Sequence, residues 1–240
     1  MLFGLWFHFW LVIITIVMAS GAFLSTFVDK SGQLSQWFSR RWGRLIIWLS
    51  RVKVTVVGME RLGPGQQYVF AANHRSSFDI YVLIAILPGK ILWVAKKELF
   101  RIPIFGPAIR RMGSVPVDRD NRQAAIRSLH LAVEAIQGGG SMIIFPEGTR
   151  ATTPELLPFK KGVFVMAHRA GQPIAPVAIN GARAVQPPGT IRVRPGPIQV
   201  IIAPPISPLD FPRKEGLMAA VREAIAANYD PDYPHGTEPA

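Results

Sequence analysis

The sequence predicts an α/β fold: a mixed, mostly parallel sheet covered by helices, behind an N-terminal membrane-embedded helical pair. Three observations predict it. Short apolar runs at 53–57, 68–72, 91–95, 114–117, 141–145, 174–180 and 198–203 are separated by stretches of helical character, the pattern of strands covered on both faces by the helices between them. Residues 2–28 contain no Asp, Glu, Lys or Arg, and at ~1.5 Å per residue a helix of that length exceeds the roughly 30 Å hydrocarbon core of a bilayer. The stretch 36–49 then mixes Trp37, Phe38, Leu45, Ile46, Trp48 and Leu49 with three arginines. That combination suits a helix lying at headgroup level beside anionic lipid, and a surface helix packed on the domain has the same pattern. The expected organisation is membrane-anchoring helices over 1–52, an α/β domain over 53–228, and a loosely ordered Pro- and Asp-bearing tail over 229–240.

Composition narrows the partners. A content of 49% hydrophobic against 18% charged residues is high for a wholly soluble chain of 240 residues, so part of it meets lipid. No cysteine is present, which excludes disulfides, thiolate chemistry and zinc–cysteine sites. The formal charge of +12, from 27 basic and 15 acidic residues, favours an anionic partner: a phospholipid surface, a phosphorylated substrate or nucleic acid. The cations sit beside apolar membrane segments and not on a recognition helix or an aromatic sheet motif, so no nucleic-acid partner is expected. Small residues at 19–22 would suit a signal-peptide cleavage site, yet no Lys or Arg precedes the apolar run, which favours an anchor. Lys30, Arg40, Arg41, Arg44, Arg51 and Lys53 follow that run. Their position puts the domain on the cytoplasmic side of the inner membrane.

The clearest helix covers 121–137. Asp120 with Gln123 makes a capping-box start, Ile126, Leu129, Val133 and Ile136 form one stripe, and glycines at 138–140 end it. His130 in this helix and His168 in a later one, before Gly171, read as structural. His8 falls in the anchor and His235 in the tail.

The chemistry points to Asn73-His74-Arg75-Ser76-Ser77-Phe78-Asp79, where an apolar strand turns into an apolar helix. With Ser76 or Ser77 as N-cap, Asp79 lies in the first helical turn. Its carboxylate can fold back to hold one nitrogen of His74, leaving the other to take a proton as a general base. The same residues also fit a satisfied loop pair or a helix-capping Asp, a metal site in which Glu147 approaches His74, or a nucleophilic Ser76 or Ser77, although no G-x-S-x-G elbow is present.

Lys90, Lys96, Lys97, Arg101, Arg110, Arg111, Arg119 and Arg122 form a local excess of cations. Most read as a solvated basic face. Arg119 follows a short strand, from where it can reach a ligand at the sheet edge. Phe145-Pro146-Glu147-Gly148-Thr149-Arg150 closes another strand with groups suited to a polyol phosphate: Glu147 to accept from a hydroxyl, Gly148 to let backbone approach, Arg150 to take a phosphate bidentately. A strand-to-loop turn with a salt bridge explains the loop as well.

Asn73-His74 with Asp79, then Lys97-Glu98-Leu99 with Pro103, Gly106 and Arg119, then residues 145–150 with Phe159-Lys160-Lys161-Gly162, then Ile174-Ala175-Pro176-Val177-Ala178-Ile179 follow one another in the chain. In order and type they resemble the four sequence blocks of the glycerophospholipid acyltransferase family, over about residues 65–180. The resemblance implies His74 as base and Asp79 as its orienting partner. It implies that Arg119, Glu147, Gly148, Thr149 and Arg150 bind glycerol phosphate, that Lys97 and Lys160 belong to the substrate site, and that Pro176 shapes the acyl-donor side. It further implies acyl transfer from a thioester, acyl-CoA or acyl carrier protein, to the sn-2 hydroxyl of lysophosphatidic acid, with membrane lipids as surroundings and no metal or other cofactor. Another lysolipid such as lyso-ornithine lipid, or glycerol 3-phosphate, is the alternative acceptor. A non-catalytic protein that binds anionic lipid is the alternative of another class. Pro116 departs from the second block, which usually carries an open-chain apolar residue there.

Overall fold

The structure, a computed structural model, describes residues 2–118 and 121–234, except for the side chain of Arg122. Each of the seven apolar runs forms a strand: β1 (Lys53–Val57), β2 (Val69–Ala72), β3 (Ile91–Lys96), β4 (Val115–Val117), β5 (Ser141–Ile144), β6 (Ile174–Asn180) and β7 (Pro197–Ile202). The helices are α1 (Leu2–Val28), α2 (Gln33–Leu49), α3 (Phe78–Ile86), α4 (Phe105–Arg111), α5 (Arg122–Gln137), α6 (Gly162–Ala170), α7 (Ala182–Val185) and α8 (Lys214–Ala226). The strands make one sheet in the order β1-β7-β6-β2-β5-β3-β4. Every neighbouring pair is parallel except β6 with β7. The expected mixed, mostly parallel sheet is therefore present, and helical crossovers cover both of its faces.

Alternation along β2 separates the two cores. Phe70 and Ala72 join Trp42, Ile46 and Leu49 of α2 and Phe78, Val82 and Leu83 of α3. Val69 and Ala71 join Phe164 of α6 and Leu217, Val221 and Ile225 of α8 on the opposite face.

The stretch 36–49 packs on the domain, the second of the two readings that its pattern allows. One face of α2 is part of the domain core, and a Cβ on Gly43 would lie 2.6 Å from the carbonyl oxygen of Tyr81, so α2 and α3 approach backbone to backbone. Trp37 and Trp48 stand exposed on the other side. Helix α1 is long and apolar enough to cross a membrane, and it packs on α2 and α4. Its inner stripe is mostly small, with Gly4, Ala19, Ala22 and Ser25 buried beside Phe7, which stacks on Phe78 at 5.7 Å. Trp42 Nε1 donates to Thr15 Oγ1 at 2.9 Å, pinning the middle of the helix. Leu5, Phe9, Val12, Ile16, Leu24 and Phe27 remain exposed.

Two local expectations need correction. Helix α5 is capped by Asn121, whose side chain accepts from the Ala124 amide at 3.0 Å; Asp120, the expected cap, lies outside the described residues. Its buried positions include Ser128, Ala132 and Ile136, while Ile126 is 47% exposed, because Ser128 donates to the Pro116 carbonyl at 2.6 Å and turns that face inward. The expected loose tail is tied down where it is described. The Asp230 amide donates to Asn180 Oδ1 at 3.0 Å and the Tyr229 hydroxyl to the Pro154 carbonyl at 3.0 Å. His235, with the rest of 235–240, lies outside the described residues.

Candidate active site

Strand β2 delivers the site. Past Ala72, the Asn73 side chain continues the sheet in place of backbone: Nδ2 donates to the Ile179 carbonyl at 2.9 Å and Oδ1 accepts the Ile179 amide at 2.7 Å. Both Ile179 backbone groups are thereby paired where the chain leaves the ladder at the carboxyl edge of the sheet, and His74 is the next residue.

His74 Nδ1 lies 2.8 Å from Asp79 Oδ2, which also accepts the amides of Arg75 at 2.6 Å and Ser76 at 2.8 Å. An oxygen that takes two backbone N–H groups is an acceptor, so the pattern assigns the proton to Nδ1 and leaves a lone pair on Nε2. Nε2 has no hydrogen-bond partner among the described residues. The imidazole stacks on Phe145 with centroids 3.8 Å apart and 15° between planes. Two contacts thus fix the ring, one in its plane and one across its face.

Ser77 is the N-cap residue of α3 and Asp79 lies in its first turn, as expected, but the serine side chains work differently. Ser77 makes no side-chain cap; its hydroxyl accepts from Arg150 Nη1 at 3.0 Å. Ser76 Oγ donates to the Gln186 carbonyl at 2.8 Å and accepts the Phe78 amide at 3.2 Å. Neither hydroxyl bonds the His74 imidazole, so neither serine is paired with it as a nucleophile.

Glu147 is a second correction. Oε1 accepts the His74 amide at 2.9 Å, Oε2 accepts the Leu157 amide at 2.9 Å, and Arg75 Nη1 reaches both oxygens at 3.0 and 2.8 Å. With its oxygens filled by protein donors in a buried setting, Glu147 holds the His74 loop and does not meet a substrate hydroxyl. Burial opposes the charge of Arg75, but Glu147, then Tyr229, more than offset it and raise its pKa above the usual guanidinium value.

Thr149 and Arg150 are exposed on the following turn, where a phosphate can reach them. Gly148 has φ 75° and would place a Cβ 3.3 Å from Lys160 Cγ, so glycine both permits the left-handed turn and lets the Lys160 stem pass over it. Lys160 is exposed, with its amide on the Pro146 carbonyl at 2.7 Å. Tyr81 lies one turn beyond Ser77 on α3. Burial pushes its phenol up to about 12, with Arg150 opposing, so it remains a neutral donor.

Lys97 Nζ bonds Asp118 at 2.6 Å, which raises its pKa; it meets an acid of the β4 exit. Arg119, one residue on, lies outside the described residues. Pro176 is displaced from its expected role. It is buried within β6, where it pairs with Ala71, and strand alternation puts it on the face covered by α6 and α8, away from α3 and the N-terminal helices. Its carbonyl accepts the Ala203 amide at 2.9 Å, so it shapes the sheet and not a donor pocket.

Sequence reasoning missed Arg75, Tyr229 and the roles of Asn73 and Phe145. One signal for Arg75 was available: a cation between a buried strand and a buried helix needs an acid, and Glu147 closes the neighbouring strand run.

The family model described as Acyltransferase matches residues 53–180, from β1 to the end of β6. The chain belongs to the acyltransferase family. Within its curated members the chain is 36% identical over 170 residues to a 1-acyl-sn-glycerol-3-phosphate acyltransferase of Limnanthes alba, covering 70% of this chain and 60% of that protein. It is 35% identical over 188 residues to the enzyme of that name from Saccharomyces cerevisiae, covering 77% and 61%. The chain thus spans about three-fifths of the length of these relatives. Among solved structures it resembles the 1-acyl-sn-glycerophosphate acyltransferase PlsC of Thermotoga maritima, with a TM-score of 0.84 at 26% identity, covering 95% of this acyltransferase and 93% of that chain.

Proposed function

We propose that this acyltransferase moves a fatty acyl group from an acyl-CoA or acyl carrier protein thioester to the sn-2 hydroxyl of lysophosphatidic acid, giving phosphatidic acid for phospholipid biosynthesis. The observation that carries this is a histidine with Nδ1 held by a buried carboxylate and Nε2 open, beside a turn that exposes Arg150. The curated relatives' names support the choice of acceptor.

Nε2 takes the hydroxyl proton as the oxygen attacks the thioester carbonyl, and Asp79 stabilises the resulting imidazolium. As the tetrahedral adduct collapses, the C–S bond breaks and the imidazolium returns the proton to the departing sulfur. The loop amides of His74, Arg75, Ser76 and Phe78 are already taken, whereas that of Ser77 has no acceptor among the described residues. Ser77 N–H, at the start of α3, is thus an open donor for the oxyanion. The thioester is a co-substrate, and the step needs neither a metal nor an acyl-enzyme.

The site sits against the inner membrane on its cytoplasmic side. Protein holds α1 at both ends: a Cβ on Gly4 would lie 2.5 Å from the Ile191 carbonyl oxygen, and Arg111 stacks 4.2 Å over Phe27 and bonds Thr26 at 2.7 Å. A helix leaving the domain to cross a bilayer would not carry both contacts, so α1 lies along one leaflet with its exposed apolar face in lipid. Phe9→Asp with Ile16→Asp charges only that face. Sedimentation with anionic vesicles is expected to fall sharply while the circular dichroism spectrum stays unchanged; undiminished sedimentation would place the anchor elsewhere.

Arg150→Ala tests the acceptor. Losing a charge-assisted hydrogen bond to phosphate costs about 1.5–3 kcal/mol, or roughly ten- to a hundred-fold. The KM for lysophosphatidic acid is expected to rise by that factor with the thioester KM unchanged, and Arg150→Lys to recover only part, since an ammonium lacks the planar fork. Equal damage on an acceptor without phosphate would refute a phosphate role and favour the lyso-ornithine reading.

A further inference from the structure

We propose that the chain leaving α8 is a positioning element of the active site: Tyr229, acting through Arg75, sets the place of His74 and of the acceptor loop at 147–157. The proposal rests on the acyl-transfer reading for its kinetic consequence but not for its geometry.

Arg75 is 1% exposed, and its fork is spent on four segments at once. Nη1 bonds Glu147 and the His74 carbonyl, the latter at 3.0 Å. Nη2 donates to the Glu155 carbonyl at 3.0 Å and Nε to the Tyr229 hydroxyl at 2.9 Å. The Tyr229 hydroxyl passes its own proton to the Pro154 carbonyl at 3.0 Å, and its ring lies 5.1 Å from the guanidinium carbon. These bonds converge on the backbone of the base. The His74 amide is held by Glu147, and its carbonyl by Arg75 and by the Ala151 amide at 2.9 Å.

Tyr229 is itself located from both sides. Asn180, at the end of β6, donates to the Asn228 carbonyl at 3.1 Å and accepts the Asp230 amide at 3.0 Å. The phenol ring lines a surface hollow with Pro154, Leu156, Ala226 and Pro231, so removing its hydroxyl opens no buried void. A hydroxyl at such a place adds little to global stability. It links the chain end to the loop that carries Arg150, beside the bond from Arg222 of α8 to the Leu156 carbonyl at 3.3 Å.

The test is Tyr229→Phe in the full chain, with kinetics on lysophosphatidic acid and acyl-CoA, melting temperature, and hydrogen–deuterium exchange by mass spectrometry. Small displacements of a catalytic group cost up to ~10²-fold; kcat is expected to fall by about ten-fold and the acceptor KM to rise, with the thioester KM and melting temperature near wild type. Exchange should quicken in peptides over 147–157 and not in β1 or α5. Arg75→Lys, which cannot bridge to Tyr229 and Glu155 together, should lose as much alone as when combined with Tyr229→Phe. Unchanged kcat with unchanged exchange overturns the proposal, and so does faster exchange throughout with a lowered melting temperature, which marks a plain stabilising contact. A wild-type protein inactive on lysophosphatidic acid, with local exchange still quickened in the variant, would sink the substrate reading and leave the clamp standing.

Discussion

Replacing His74 with alanine is expected to lower acyl transfer by ~10²–10⁴-fold, the usual contribution of a positioned general base. No neighbouring side chain can take over. Ser76 and Ser77 are bound to Gln186 and Arg150, and Glu147 is enclosed. The loop itself should persist, because Asp79 keeps the Arg75 and Ser76 amides and loses one bond of three. Association with vesicles is therefore expected to match wild type. Asp79→Asn should cost less, since a side-chain oxygen can still accept those amides while the charge that stabilises the imidazolium is gone. Thiol release in the presence of lysophosphatidic acid reads both variants, and folded His74→Ala retaining more than a tenth of wild-type turnover would refute the assignment.

The second large effect is on stability. Arg75→Ala strands Glu147 as a buried carboxylate without its cation, and breaking one side of a buried pair costs about 3–5 kcal/mol. For a chain of this size that lowers the melting temperature by on the order of 10 °C. Arg75→Met combined with Glu147→Leu should restore much of that loss, because a well-packed apolar pair often replaces a buried ion pair at little cost. Activity should not return, since the His74 amide has then lost its acceptor. Thermal unfolding in detergent followed by circular dichroism checks the ordering: Arg75→Ala least stable, the double variant above it. Equal stability of Arg75→Ala and wild type would mean that the pair is solvated and holds nothing.

The parts of this molecule that sequence exposes are those whose physics is local. Buried parallel strands must be continuous apolar runs ended by turn residues, so all seven were legible to within a residue or two. His74 and Asp79 were legible because they face each other across one helix start. Glu147 was misread because its partner depends on β5 lying beside β2, and the pairing of residues 72 positions apart is encoded by neither run alone. Pro176 was misread for a related reason: which way a residue of a fully buried strand points is set by register, and β6 shows no polar alternation to reveal it. Tyr229 reads as tail because a single aromatic carries no periodic signal; its partner is 154 positions away.

The central claim, direct transfer by a general base, is most directly tested by following thiol release from acyl-CoA with and without lysophosphatidic acid at enzyme concentrations comparable to substrate. The account predicts thiol release only when the acceptor is present, in step with phosphatidic acid formation. A burst of thiol equal to the enzyme concentration without acceptor, with the acyl group trapped on the protein, would contradict it and require a nucleophile that the geometry around His74 does not supply.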